Sequence, residues 1–119
     1  MGKFVIRRTA SGFKFDLKAS NGEVIATSEV YTSAALCRKG IDSVCKCVVA
    51  APVAGLADRV SNPCFRIYTD KAGEFRFRLH ARNGKIIAVS EGYASRIACI
   101  HGIESVRRQS EEGITIEKD

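Results

Sequence analysis

Two stretches alternate apolar side chains with charged ones, mostly cations: Phe13-Lys-Phe-Asp-Leu-Lys-Ala19 and Phe75-Arg-Phe-Arg-Leu-His-Ala81. In an extended strand every second side chain points to the same face. Lys14, Lys18, Arg76, Arg78, His80 and Arg82 therefore share one face, and Arg66 in the preceding apolar run has the same parity. A surface of one sign attracts phosphates. Tyr68 also has that parity, and an aromatic ring among cations is how sheet-surface RNA binders stack bases. These residues form a candidate nucleic-acid surface. The competing account is a solvated antiparallel face, on which Lys and Arg keep exposed strands soluble. Asp16 interrupts the positive run in the first stretch.

Other constellations carry less chemistry. Ser28-Glu29-x-Tyr31 and Ser90-Glu91-x-Tyr93 place polar groups near helix N-termini, where backbone N–H groups favour anions. Glu29 and Glu91 bring negative charge to the same place, so a Tyr packed at the strand-to-helix corner and a Glu complementing the helix dipole are sufficient causes. Cys37 and Cys99 fall on apolar stripes as small core residues. The remaining soft ligands are Cys45, Cys47, Cys64, His80 and His101. Thiols two residues apart on a helix diverge by about 200°, and no second Cys or His pair has finger-like spacing. There is no nucleophile elbow, no flanked catalytic cysteine and no glycine-rich phosphate loop. The expectation is a non-enzymatic protein with no catalytic residue, no metal and no cofactor.

The elements that position these residues come from a duplication. A shift of 62 places lays residues 13–44 on 75–106 with 17 identities in 32 positions. Phe4 and Ile6 match Phe65 and Ile67 with a shift of 61, so the first loop is one residue shorter than the second. Within each unit the apolar period changes from two to about 3.6, which places strands before a helix. Asn21-Gly22 and Asn83-Gly84 predict two-residue type I′ turns that fold the strands at 13–19 and 75–81 back onto Val24 to Ser28 and Ile86 to Ser90. Phe4 to Arg8 and Phe65 to Thr69 supply a third strand each.

Ser33 and Ser95 can cap helices whose apolar stripes are Cys37, Ile41, Val44 and Cys99, Ile103, Val106. Gly40 and Gly102 lie inside those helices, at a cost of about 1 kcal/mol relative to Ala, and predict close approach to a strand. Ile114 to Glu117 reads as a closing strand, with Leu56 to Val60 as its weaker counterpart after the first helix.

Composition agrees with a globular chain. At 119 residues and 45% hydrophobic, it can bury a core. The net charge of +6 resides in two basic units, and the tail from 110 to 119 is acidic. No apolar run approaches the roughly 20 residues of a membrane span. The start, Met1-Gly2-Lys3-Phe4, runs into patterned sequence rather than a secretory leader. Five cysteines without framework spacing read as reduced thiols. The expected location is the cytoplasm, away from membranes.

The motifs Phe-x-Phe-x-Leu-x-Ala-x-Asn-Gly, Ile-Ala-x-Ser-Glu-x-Tyr-x-Ser and Cys-x-x-Gly-Ile-x-Ser-Val, each present twice, resemble the YegP-like family of small bacterial and archaeal proteins. The stretch Lys71-Ala-Gly-Glu-Phe-Arg-Phe-Arg-Leu79 is especially typical of it. The first unit departs from the pattern, with Arg8-Thr-Ala-Ser-Gly12 in place of an Asp-Lys-x-Gly turn, Val30 for Gly, and Cys45 and Cys47 at polar helix positions. The resemblance implies a βββαβ motif in tandem, merging into one sheet with the last strands exchanged between halves. It implies no activity.

The sequence therefore predicts an α+β fold: one domain over 1–119 with one antiparallel sheet and two helices on one face, pseudo-twofold. Repeat 1 spans 3–47, the linker 48–63 and repeat 2 64–119. The internal duplication favours a monomer. Its expected role is an interaction module for an unidentified protein partner; the alternative is weak nucleic-acid binding through the basic sheet face.

Overall fold

The computed structural model describes residues 2–55, 58–111 and 114–118. The apolar-polar alternation of each repeat folds as strands and the later 3.6-residue stripe as a helix. Repeat 1 gives β1 (Lys3–Thr9), β2 (Gly12–Lys18), β3 (Val24–Thr27), α1 (Ala34–Cys47) and β4 (Val53–Gly55). Repeat 2 gives β5 (Cys64–Thr69), β6 (Phe75–His80), β7 (Ile86–Val89), α2 (Arg96–Glu111) and β8 (Ile114–Lys118).

All eight strands form one sheet in the order β4-β5-β6-β7-β3-β2-β1-β8. The halves meet at its centre, where β3 and β7 pair antiparallel through Thr27 and Val89. The last strand of each repeat crosses to the other: β4 lies parallel to β5, and β8 parallel to β1. The sheet is thus antiparallel except at its two edges. Each parallel pairing brings a strand from just after a helix onto the first strand of the opposite repeat, tying the halves together.

Strand register puts Phe4 opposite Leu17, Ile6 opposite Phe15, Phe65 opposite Leu79 and Ile67 opposite Phe77. All eight side chains are buried beneath the helices. Phe4 meets Phe15 edge-on at 5.9 Å and Phe65 meets Phe77 at 5.8 Å, the favoured geometry for aromatic pairs. The helices close the core with Cys37, Ile41, Val44 and Cys99, Ile103, Val106, all buried. Ser33 Oγ accepts from Leu36 N–H and Ser95 Oγ from Ala98 N–H, each at 3.1 Å. Those side chains satisfy one free donor at each helix start.

Three local expectations are corrected. The hairpin turns are not type I′: no non-glycine residue has positive φ among the described residues, while Gly22 and Gly84 have φ of 88°. Ala19 N–H donates to Glu23 O and Gly22 N–H to Ala19 O, so the loop holds three residues and needs left-handed backbone at Gly alone. Asn21 and Asn83 instead accept through Oδ1 from the N–H two residues on, an Asx turn.

The strand expected at Leu56 to Val60 lies earlier, at Val53–Gly55. Residues 56 and 57 fall outside the described residues, and 58–60 are not strand. Gly40 and Gly102 are set chiefly by tyrosine rather than by strand backbone: a β-carbon there would strike the hydroxyl of Tyr31 or Tyr93.

Candidate nucleic-acid interface

The face turned away from the helices is built by strand register. One row crosses from Asp16 through Thr27, Val89 and Arg78 to Arg66. Flanking rows set Arg7 opposite Lys14, Lys3 opposite Lys18 and Tyr68 opposite Arg76. Lys14, Lys18, Arg66, Tyr68, Arg76, Arg78 and His80 therefore share this face. Lys3 and Arg7 join them; the alternation of Phe4 and Ile6 in β1 carried the signal that places them there. Among the described residues, Asp16 is the one acid that strand register puts on this face, because Glu117 on β8 has the opposite parity and reaches Arg38 of α1 at 3.3 Å.

Several of these side chains have structural partners. Arg66 donates to three backbone carbonyls, Gly55 O at 2.8 Å, Asp58 O at 2.9 Å and Val60 O at 3.0 Å. It holds the linker against the sheet edge, so its hydrogen bonds are already committed. Arg76 Nε donates to Asp70 Oδ2 at 2.7 Å and its Nη1 to Ser90 O at 3.2 Å. Arg7 Nε donates to Asp16 Oδ2 at 2.8 Å, while Thr27 Oγ1 donates to Asp16 Oδ1 at 2.7 Å. These partners raise the Arg7 and Arg76 pKa values, and the Arg76 hydrogen bond, followed by the Glu74 N–H, holds the Asp70 carboxyl below its usual range.

His80 Nδ1 lies 3.2 Å from Gly84 O, and its Nε2 is buried without a hydrogen-bond partner. Arg82 is corrected: β6 ends at His80, so Arg82 sits in the hairpin turn beside Ser43 and Lys46 of α1. It does not share the open face.

Four groups on this face remain available. Lys3, Lys14 and Lys18 make no ion pair or hydrogen bond among the described residues, and the Arg78 guanidinium lies over the Tyr68 ring at 4.1 Å. A guanidinium over an aromatic ring is attracted by the negative face of the ring, which holds the two groups together. The arrangement offers separated positive charges for phosphates and one planar Arg–Tyr platform.

The polar corners are structural. Ser28 Oγ accepts from Phe15 N–H at 2.9 Å and donates to Glu29 O at 2.8 Å; Ser90 does the same with Phe77 and Glu91. Both serines are buried. Tyr31 and Tyr93 stack on Phe15 and Phe77 at 6.3 and 6.4 Å, and desolvation raises their pKa values. Of the five free thiols, Cys45 is the least buried, and burial pushes the Cys37 thiol up to about 11. Among the described residues no three His, Cys, Asp or Glu side chains gather as a metal site, and no helix is long and apolar enough to cross a membrane.

This architecture recurs. A model of the domain of unknown function DUF1508 matches residues 9–54 and again 70–116. A UPF0339 protein of Photorhabdus laumondii is 40% identical over 106 residues, covering 88% of this chain and 83% of that protein. A UPF0339 protein of Treponema denticola is 51% identical over 53 residues, which are 44% of this chain but 91% of that one. The solution NMR structure of yegP from E. coli, a protein of unknown function, is similar with a TM-score of 0.81 at 33% identity, over 98% of this chain and 92% of that one.

Proposed function

Since the chain belongs to the YegP-like DUF1508 family and carries its domain twice, we propose that it is a non-enzymatic interaction module whose open sheet face binds single-stranded nucleic acid. The observation that carries this reading is one open face that holds Lys3, Lys14 and Lys18 on β1 and β2 in one half and the Arg78–Tyr68 pair on β6 and β5 in the other, with Asp16 already engaged by Arg7 and Thr27. Phosphates engage the lysines as point charges, and a base stacks on the Arg78–Tyr68 platform. A basic sheet tolerates many sequences because such contacts read no base edge. The duplication supplies internally the contact that two separate repeats would make, so the working unit is a monomer.

The test is fluorescence anisotropy of labelled single-stranded RNA and DNA at roughly 50 and 200 mM salt, where phosphate contacts change affinity strongly. Binding that weakens steeply with salt is expected. Lys14→Ala and Lys18→Ala should each lower the salt slope by about one. Tyr68→Ala should weaken binding about fivefold or more, at little cost in slope. Absent or salt-independent binding sinks the reading and returns the face to solvation, with protein partners then sought.

A further inference from the structure

The two halves differ at a pair of equivalent clefts, each between one repeat's helix and the other repeat's hairpin turn. Beside α2 the cleft is filled by Gln109. Its Oε1 accepts from Ser20 Oγ at 3.3 Å, and Gly2 packs so closely that a β-carbon there would lie 2.6 Å from Gln109 Cβ. Beside α1 the three equivalent positions hold Cys47, Arg82 and Pro63. The short thiol does not reach across, and a cleft of about 460 Å³ remains, within the span of about 300–1,000 Å³ that small-molecule sites occupy.

The charged groups of its lining are of one sign, set among the apolar Cys47, Pro63 and Ala81. Lys46 comes from the helix wall and Arg82 from the turn; both are exposed, neither has an ion pair or hydrogen bond among the described residues, and no carboxylate lines the cleft. Asn83 Oδ1 is committed to Lys85 N–H at 3.0 Å, which leaves its amide N–H₂ as a donor, and Ser43 adds a hydroxyl. The end of α1 would oppose an anion through its partial negative charge. Arg107 offsets that charge from the other repeat by donating to Val48 O and Ala51 O. Lys46 is therefore not needed to complement the helix end.

We propose that this cleft binds a small phosphate-bearing ligand, with Arg82 and Lys46 pairing the phosphate charge and Ser43 and Asn83 donating hydrogen bonds. An Arg fork suits phosphate oxygens bidentately. The counterpart beside α2 lacks the capacity because Gln109 and Ser20 occupy it, so one site forms per chain.

The test is a two-dimensional amide NMR titration of the full chain with phenyl phosphate, with inorganic phosphate in parallel. Saturable shifts centred on Ser43, Lys46, Arg82 and Asn83 are expected. Arg82→Ser, an exposed position, should weaken binding about fivefold or more. Adding Cys47→Gln puts into the cleft the longer side chain that α2 carries at the equivalent position and should weaken binding about a hundredfold. Shifts that are absent, that do not saturate, or that survive in both variants overturn the proposal. Oligonucleotide binding by the sheet face should be unchanged in Arg82→Ser, which separates the two sites.

Discussion

The hydroxyl of Tyr93 rests against Gly102 of α2 in the volume a β-carbon would need, and Tyr31 repeats the contact on Gly40 of α1. Each tyrosine is stacked on a core phenylalanine and bridged to the sheet by paired backbone hydrogen bonds, Phe13 with Tyr31 and Phe75 with Tyr93. The ring cannot retreat, so the helix must approach without a side chain at that position.

Gly102→Ala and Gly40→Ala should accordingly destabilise the protein. Helix propensity alone favours Ala by about 1 kcal/mol, whereas overpacking a rigid contact costs about 1–3 kcal/mol. The difference leaves a net loss of up to about 2 kcal/mol, expected in urea denaturation of each variant. Stabilisation by either would show that the tyrosine does move.

Arg107 joins the repeats: it donates to Val48 O at 2.6 Å and Ala51 O at 2.5 Å, and lies over the Phe65 ring at 5.0 Å. Arg107→Ala should cost about 2 kcal/mol, in line with hydrogen bonds from a charged group. Lys lacks the fork and should recover only part of it. Amide exchange should quicken at residues 48–51 in Arg107→Ala; unchanged exchange there would remove the capping role.

Acid should weaken the turn at Asp70. Its folded pKa is depressed, first by the Arg76 hydrogen bond and then by the backbone N–H of Glu74. The stabilisation is therefore present above the unfolded carboxylate value of about 3.9 and is lost as pH falls through the lower folded value. Asp70→Asn should be less stable than the parent at pH 7, and the gap should close in denaturation curves taken at progressively lower pH. A gap independent of pH would contradict the ion pair.

The thiols should be slow to alkylate. Burial raises the pKa of Cys37 to about 11 and also raises that of Cys99, and the thiolate is the nucleophile. With iodoacetamide at pH 8, mass spectrometry should find Cys37 and Cys99 unmodified in the native protein and all five cysteines modified after denaturation. Cys45, the least buried thiol, should react first even though burial raises its pKa as well. Early labelling of Cys37 would mean that α1 opens readily.

Much of the design was legible in one dimension, because burial on one sheet face imposes a period of two and burial beneath a helix one of about 3.6. Phe13, Phe15 and Leu17 declared their strand, and Cys37, Ile41 and Val44 their helix stripe. The duplication announced the pseudo-twofold sheet, and parity alone put Lys14, Lys18, Arg76 and Arg78 on one face. Local composition could not say where side chains from distant segments meet. Only the tertiary structure showed that Arg66 is spent on linker carbonyls and that Arg82 leaves the face where β6 stops. It also decided that Gly102 yields to Tyr93, and that Cys47 leaves open a cleft whose counterpart Gln109 fills. Those outcomes depend on the distance and direction between groups far apart in the chain, which periodicity does not encode.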